Sequence, residues 1–115
     1  NVMHEMYLAE NVVTLLKEAS EKQGFIRVKA IWVEVGLLSH VEPEALAFCF
    51  DGVSDNTLAE NAVFNIILVK GLGFCSECNN KFSYNQLYDP CPYCDNYQVD
   101  VIAGDQMRLK NLEVE

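Results

Sequence analysis

The sequence predicts an α+β fold: two helices packed on a three-stranded mixed sheet, with an inserted zinc-ribbon-like domain built on four cysteines. Three observations predict it. Apolar residues recur at helical spacing in two stretches before residue 54. Two β-branched runs stand at residues 27–35 and 62–70, and a pair of C-x-x-C motifs interrupts the chain between residues 71 and 104. A chain of 115 residues can bury one modest core, and a composition half apolar and 22% charged excludes disorder or a fibre.

The elements follow in order. From Met3 to Gln23, Leu8, Val12, Leu15, Leu16 and Ala19 keep a helical period, and Gly24 is placed to end the helix as its C′ residue. Arg27 to Val35 reads as a strand between Gly24 and Gly36. Pro43 opens a second helix whose buried stripe is Leu46, Cys49, Phe50 and Val53, ending near Asp55-Asn56 with a further turn at residues 57–60. Ala62 to Lys70 is almost wholly apolar and is expected as a central strand. Met107 to Val114 forms the last strand, with a slip in alternation that suggests a bulge at Lys110-Asn111. Residues 1–70 plus 105–115 are thus expected to form one α/β domain. Residues 71–104 form an inserted metal-binding domain with too little apolar mass for a core of its own.

Charge narrows the function. Eight basic against seventeen acidic residues give a net charge of −9, which repels phosphate, so nucleic acid and anionic membrane are poor partners. No apolar run approaches the ~18 residues needed to span a bilayer, and no secretory signal pattern is visible. No nucleophile–base pair, phosphate loop or H-E-x-x-H motif marks an enzyme. Five cysteines, four of them in paired spacing, fit a metal site in a reducing compartment better than a disulfide framework, and the cytoplasm is favoured.

Cys75, Cys78, Cys91 and Cys94 are the candidate ligands. A C-x-x-C turn aims two sulfurs at one ion, and two such turns complete a tetrahedron of thiolates that suits zinc and leaves no position open for water. The site is therefore expected to be structural, replacing the apolar core the insert lacks. Cys49, on the buried stripe of the second helix, is expected to pack as a small hydrophobe.

A second metal candidate stands at the amino terminus. His4 lies at the start of the first helix, where backbone N–H groups have no intrahelical acceptor. An imidazole beside such nitrogens suits Ni²⁺ or Cu²⁺. Glu5 can add an oxygen there, or simply complement the helix dipole.

The segments Met3-His4-Glu5-Met6, Val35 to Phe50, the paired cysteines and Gly104 to Leu109 resemble the HypA/HybF family, the nickel metallochaperones of [NiFe]-hydrogenase maturation. The resemblance runs over essentially the whole chain from Met3. It implies a nickel site with His4 as principal ligand and Glu5 beside it, and a structural zinc on Cys75, Cys78, Cys91 and Cys94. It also implies a HypB-type GTPase and the hydrogenase large-subunit precursor as partners, with urease served by some members, and marks Glu42 as a weaker acidic candidate near the nickel. In the family the methionine is the initiator, and its free amine joins the chelate. Asn1-Val2 stand before it here, so the Met3 nitrogen is an amide.

The alternative is a zinc-ribbon interaction module without a nickel role. Tyr84, Tyr88, Tyr93 and Tyr97 supply aromatic surface for a protein partner, while Lys70 and Lys81 are the only cations from residue 70 to 107. Nucleic acid is disfavoured on this reading too.

Overall fold

The computed structural model describes residues 2–115, with side chains from His4 onward. The elements are α1 (Val2–Gln23), β1 (Val28–Gly36), α2 (Pro43–Val53), β2 (Val63–Val69), β3 (Leu72–Cys75), β4 (Asn80–Ser83), β5 (Val99–Ala103) and β6 (Met107–Val114). The strands form two three-stranded sheets, ordered β2-β1-β6 and β4-β3-β5. Two compact units result. One holds the chain through Val33, Val41–Ile67 and Arg108–Glu115, and the other holds Glu34–His40 and Leu68–Met107.

In the first unit α1 packs on α2. Its buried stripe is Glu5, Ala9, Val12, Val13 and Leu16, so a carboxylate shares the face that carries the apolar residues. Leu15, expected on that stripe, is exposed, because Val13 completes the i, i+3, i+4, i+7 set begun by Ala9. Gly24, at φ +81°, closes the helix and donates its N–H to the Ser20 carbonyl at 2.8 Å. The α2 helix buries Leu46, Cys49 and Phe50, with proline at its first turn. Phe50 stacks on Phe64 of β2 with ring centroids 4.6 Å apart.

The first sheet is mixed, as expected, but its order corrects one expectation. Val28 bonds to Leu58 and Leu37 to Val69, which brings like ends of β1 and β2 together in parallel. Gly36 bonds to Gln106 and Glu115 to Arg27, which sets β6 antiparallel to β1. The central strand is therefore β1, and the apolar β2 lies at an edge. The reason is visible in the burial. Most of β1 is buried with residues of both parities covered, while Val63 and Leu68 of β2 stay exposed. Edge residues need apolar character on one face only, so composition alone overstates the burial of β2. The β6 strand runs unbroken, and its burial alternation slips by one at Lys110-Asn111.

The second unit contains three strands that its sequence did not announce. Both β4 and β5 pair antiparallel with β3, with Cys75 opposite Asn80 on one side and Val99 on the other. These strands are four or five residues long, too short for a period-2 signal to emerge from a Cys- and Asn-rich segment. The unit's core is Leu38, Cys75, Phe82, Tyr84 and Cys91, with Leu87, Val99 and Val101 packed against it. Two of those five are candidate metal ligands.

Candidate metal centres

The four cysteines converge. Their sulfurs all lie within 4.8 Å of one another, with Cys75 to Cys94 at 3.6 Å and Cys78 to Cys91 at 3.7 Å. No disulfide is present, since an S–S bond is only ~2.05 Å long. A tetrahedron of thiolates around an ion at ~2.3 Å has edges of roughly 3.8 Å, so the two short separations already match a shared metal.

Two similar turns build this geometry. In each, the first cysteine's carbonyl accepts an N–H four residues on: Asn79 to Cys75 at 2.8 Å and Asp95 to Cys91 at 2.9 Å. Asn79 and Asp95 both adopt left-handed backbone, at φ +59° and +62°. Asn and Asp tolerate that conformation better than other non-glycine residues. An Asn or Asp directly after each C-x-x-C was the available sequence signal for these turns. Two donors also reach the sulfurs: the Asn80 side-chain amide to Cys78 at 3.3 Å and the Tyr93 N–H to Cys91 at 3.4 Å.

The cluster's electrostatics call for a cation. The Asn80 amide is the main influence bringing the Cys78 thiol down to about 7. At Cys94 the Asn96 N–H favours the thiolate, but burial and the neighbouring sulfurs outweigh it and push the thiol up. Crowded thiolates repel one another, so without a cation they cannot all ionise together. A divalent ion held by the four sulfurs would remove that conflict by stabilising all four as thiolates.

The amino-terminal candidates lie in the first unit. His4 is 49% exposed in the first turn of α1, and its Nδ1 stands 3.6 Å from Glu5 Oε2. Glu5 is only 1% exposed. Its Oε2 accepts the backbone N–H of Glu42 at 3.0 Å, tying α1 to the residue that precedes α2. Glu42, an acidic candidate in the sequence, thus meets this site through its main chain. His40 holds left-handed backbone at φ +62° in the loop before α2. The side chains of Val2 and Met3, and Asn1 altogether, lie outside the described residues, and with them the methionine part of Met3-His4-Glu5.

Glu5 also sets a pH dependence. The Glu42 N–H, ahead of burial, which opposes it, holds this carboxyl below its ordinary value. A depressed carboxylate stabilises the fold above its ordinary range and loses that contribution as pH falls through the folded value. Glu5→Gln should therefore cost about 1–2 kcal/mol near neutral pH, and the gap should close as the medium is acidified below about pH 4. Urea titrations of both proteins under neutral and strongly acidic conditions measure it, and a constant gap would remove the charge from the account.

Burial thus gives the two candidate sites opposite character, a cysteine cluster partly enclosed in one unit and a half-exposed imidazole in the other. The convergent cysteines, with the mixed sheet and its covering helices, mark a small α+β protein of a metal-binding class. The family described as hydrogenase/urease nickel incorporation, metallochaperone HypA, matches residues 3–114, and the chain belongs to it. Hydrogenase maturation factor HypA of Rhodopseudomonas palustris strain BisA53 is 45% identical over 113 residues, covering 98% of this chain and all of that one. The namesake of Azotobacter chroococcum mcd 1 is 47% identical over the same coverage. The solution structure of the nickel metallochaperone HypA from Helicobacter pylori shares the fold, with a TM-score of 0.74 at 24% identity and 96% coverage of both chains. A second HypA solution structure gives 0.75 at 25% identity. Members of this family are maturation factors, not enzymes. Among the described residues, no helix is long and apolar enough to cross a membrane.

Proposed function

We propose that this chain binds Ni²⁺ at its amino-terminal Met3-His4-Glu5 segment and delivers it for [NiFe]-hydrogenase maturation in the cytoplasm. His4 is the principal ligand, with Glu5 beside it. The carrying observation is the exposed imidazole in the first turn of α1, fixed beside a buried carboxylate in a chain of this family. The carboxylate stands 3.6 Å from the ring nitrogen, within reach of an ion held at that imidazole. Backbone nitrogens of the first turn lack intrahelical acceptors and can complete an N/O set of the kind nickel favours. Exposure keeps this set open to ligand exchange, which transfer to a recipient requires.

In this reading Cys75, Cys78, Cys91 and Cys94 hold zinc. A closed S₄ set gives that ion a structural role and leaves no coordination position for chemistry. The recipients are a HypB-type GTPase and the hydrogenase large-subunit precursor, the partners expected for a hydrogenase maturation factor.

Calorimetric titration of the zinc-loaded protein with Ni²⁺ tests the assignment. His4→Ala should lower nickel affinity by at least about tenfold, the scale of losing one positioned ligand, while zinc content stays unchanged. Equal nickel affinity in both proteins would take His4 out of the mechanism.

A further inference from the structure

The second unit carries four tyrosines within fourteen residues, and the structure divides them. Tyr84 is built into the core: it meets Phe82 edge-on at 5.8 Å and donates its hydroxyl to the Asp89 carbonyl at 2.8 Å. Tyr88, Tyr93 and Tyr97 are instead 88%, 65% and 74% exposed. Tyr88 adjoins Asp89, which Tyr84 holds. Tyr93 lies 6.2 Å from Phe82, ring to ring, and Tyr97 follows Asn96, whose carbonyl accepts the Cys91 N–H at 2.8 Å. All three are therefore exposed residues of the segment between β4 and β5, which is anchored on Phe82, Tyr84 and Cys91.

That loop is stiff. The Cys91 carbonyl accepts the Asp95 N–H, and the Asn96 side chain accepts the Gln98 N–H at 2.7 Å. Tyr88 is held at φ +71°, a conformation a bulky residue rarely adopts. Aromatic surface on a fixed backbone has little conformational freedom left to lose on binding. The charge carried by the loop and the strand after it is acidic, the nearest cation in sequence being Lys81 of β4. From Phe82 to Met107 every charged side chain is an aspartate: Asp89, Asp95, Asp100 and Asp105. A divalent ion held by four thiolates would leave that cluster with a net negative charge as well.

From this we infer that Tyr88, Tyr93 and Tyr97 form a docking surface for an arginine-rich protein segment. Guanidinium groups stack on tyrosine faces while the aspartates supply complementary charge, and their planar, weakly hydrated form suits the task better than an ammonium. The charge that attracts such a segment repels nucleic acid and a second copy of this chain.

The test uses the full, metal-loaded chain at physiological salt and no nickel, so its outcome is separate from that of the His4 assignment. A fluorescein-labelled peptide of alternating arginine and glycine is titrated against its lysine counterpart by anisotropy. The arginine peptide should bind roughly tenfold tighter. Combining Tyr88→Ser with Tyr97→Ser, which leaves net charge and core untouched, should weaken it by about the same factor. Amide shifts in the unmodified chain should concentrate between residues 86 and 98. Equal binding of the two peptides, an unaffected double variant, or shifts centred elsewhere would each overturn the inference.

Discussion

Stripping the metal from the four-cysteine site should abolish amide protection across β3, β4 and β5 while α1 and α2 keep theirs. The hydrophobic cluster of the second unit holds five buried residues, and Cys75 and Cys91 are two of them. The unit's remaining apolar mass cannot offset the conformational entropy of ordering nearly fifty residues. A structural tetrathiolate ion contributes on the order of 10–16 kcal/mol of binding free energy, most of it available to folding. The first unit has an independent core in which Leu16, Ile31, Leu46 and Phe50 are almost fully buried. Hydrogen exchange with and without chelator reads the result residue by residue. Protection lost equally in both units would show that the cysteine cluster does not stabilise its own unit selectively.

The second large effect is expected from Gly36→Ala. A Cβ at Gly36 would strike the Gly104 carbonyl and sit 2.9 Å from the Asp105 nitrogen, all main-chain atoms. They are held in register by the Gly36 N–H on Gln106 at 2.9 Å and the Leu38 N–H on Gly104 at 2.8 Å. A flexible side chain could swing aside; a hydrogen-bonded ladder cannot, so the cost should reach about 3 kcal/mol. Gly52→Ala is the internal comparison. Nothing lies within 4 Å of a Cβ there, and alanine inside α2 should stabilise by about 0.5–1 kcal/mol. Equal urea midpoints for the two variants would contradict the close approach at Gly36.

Legibility in the sequence followed signal length. Twenty-two residues of helical period made α1 readable, and Gly24 marked its end. The cysteine pairs were readable because ligand spacing is itself local geometry. What stayed hidden was non-local or short. The edge position of β2 depends on which strand reaches β1 from the other side, and β6 comes from residues nearly forty positions later. The burial of Glu5 could be traced from its place on the Ala9–Val12–Leu16 face, but its bond to the Glu42 N–H depends on how the loop before α2 returns. Tyr84 and Tyr88 look alike in sequence. Only the fold shows that one closes the core and the other faces solvent.

Leu38 has a consequence for portability. This leucine follows β1, more than thirty positions before the first metal-site cysteine, yet it lies in the same hydrophobic cluster as Cys75 and Cys91. The cysteine segment is therefore not a cassette that can be cut out at residues 71 and 104. Grafted into a foreign loop, those residues would leave a socket without its plug, and the transplant would chelate with a looser grip than the parent.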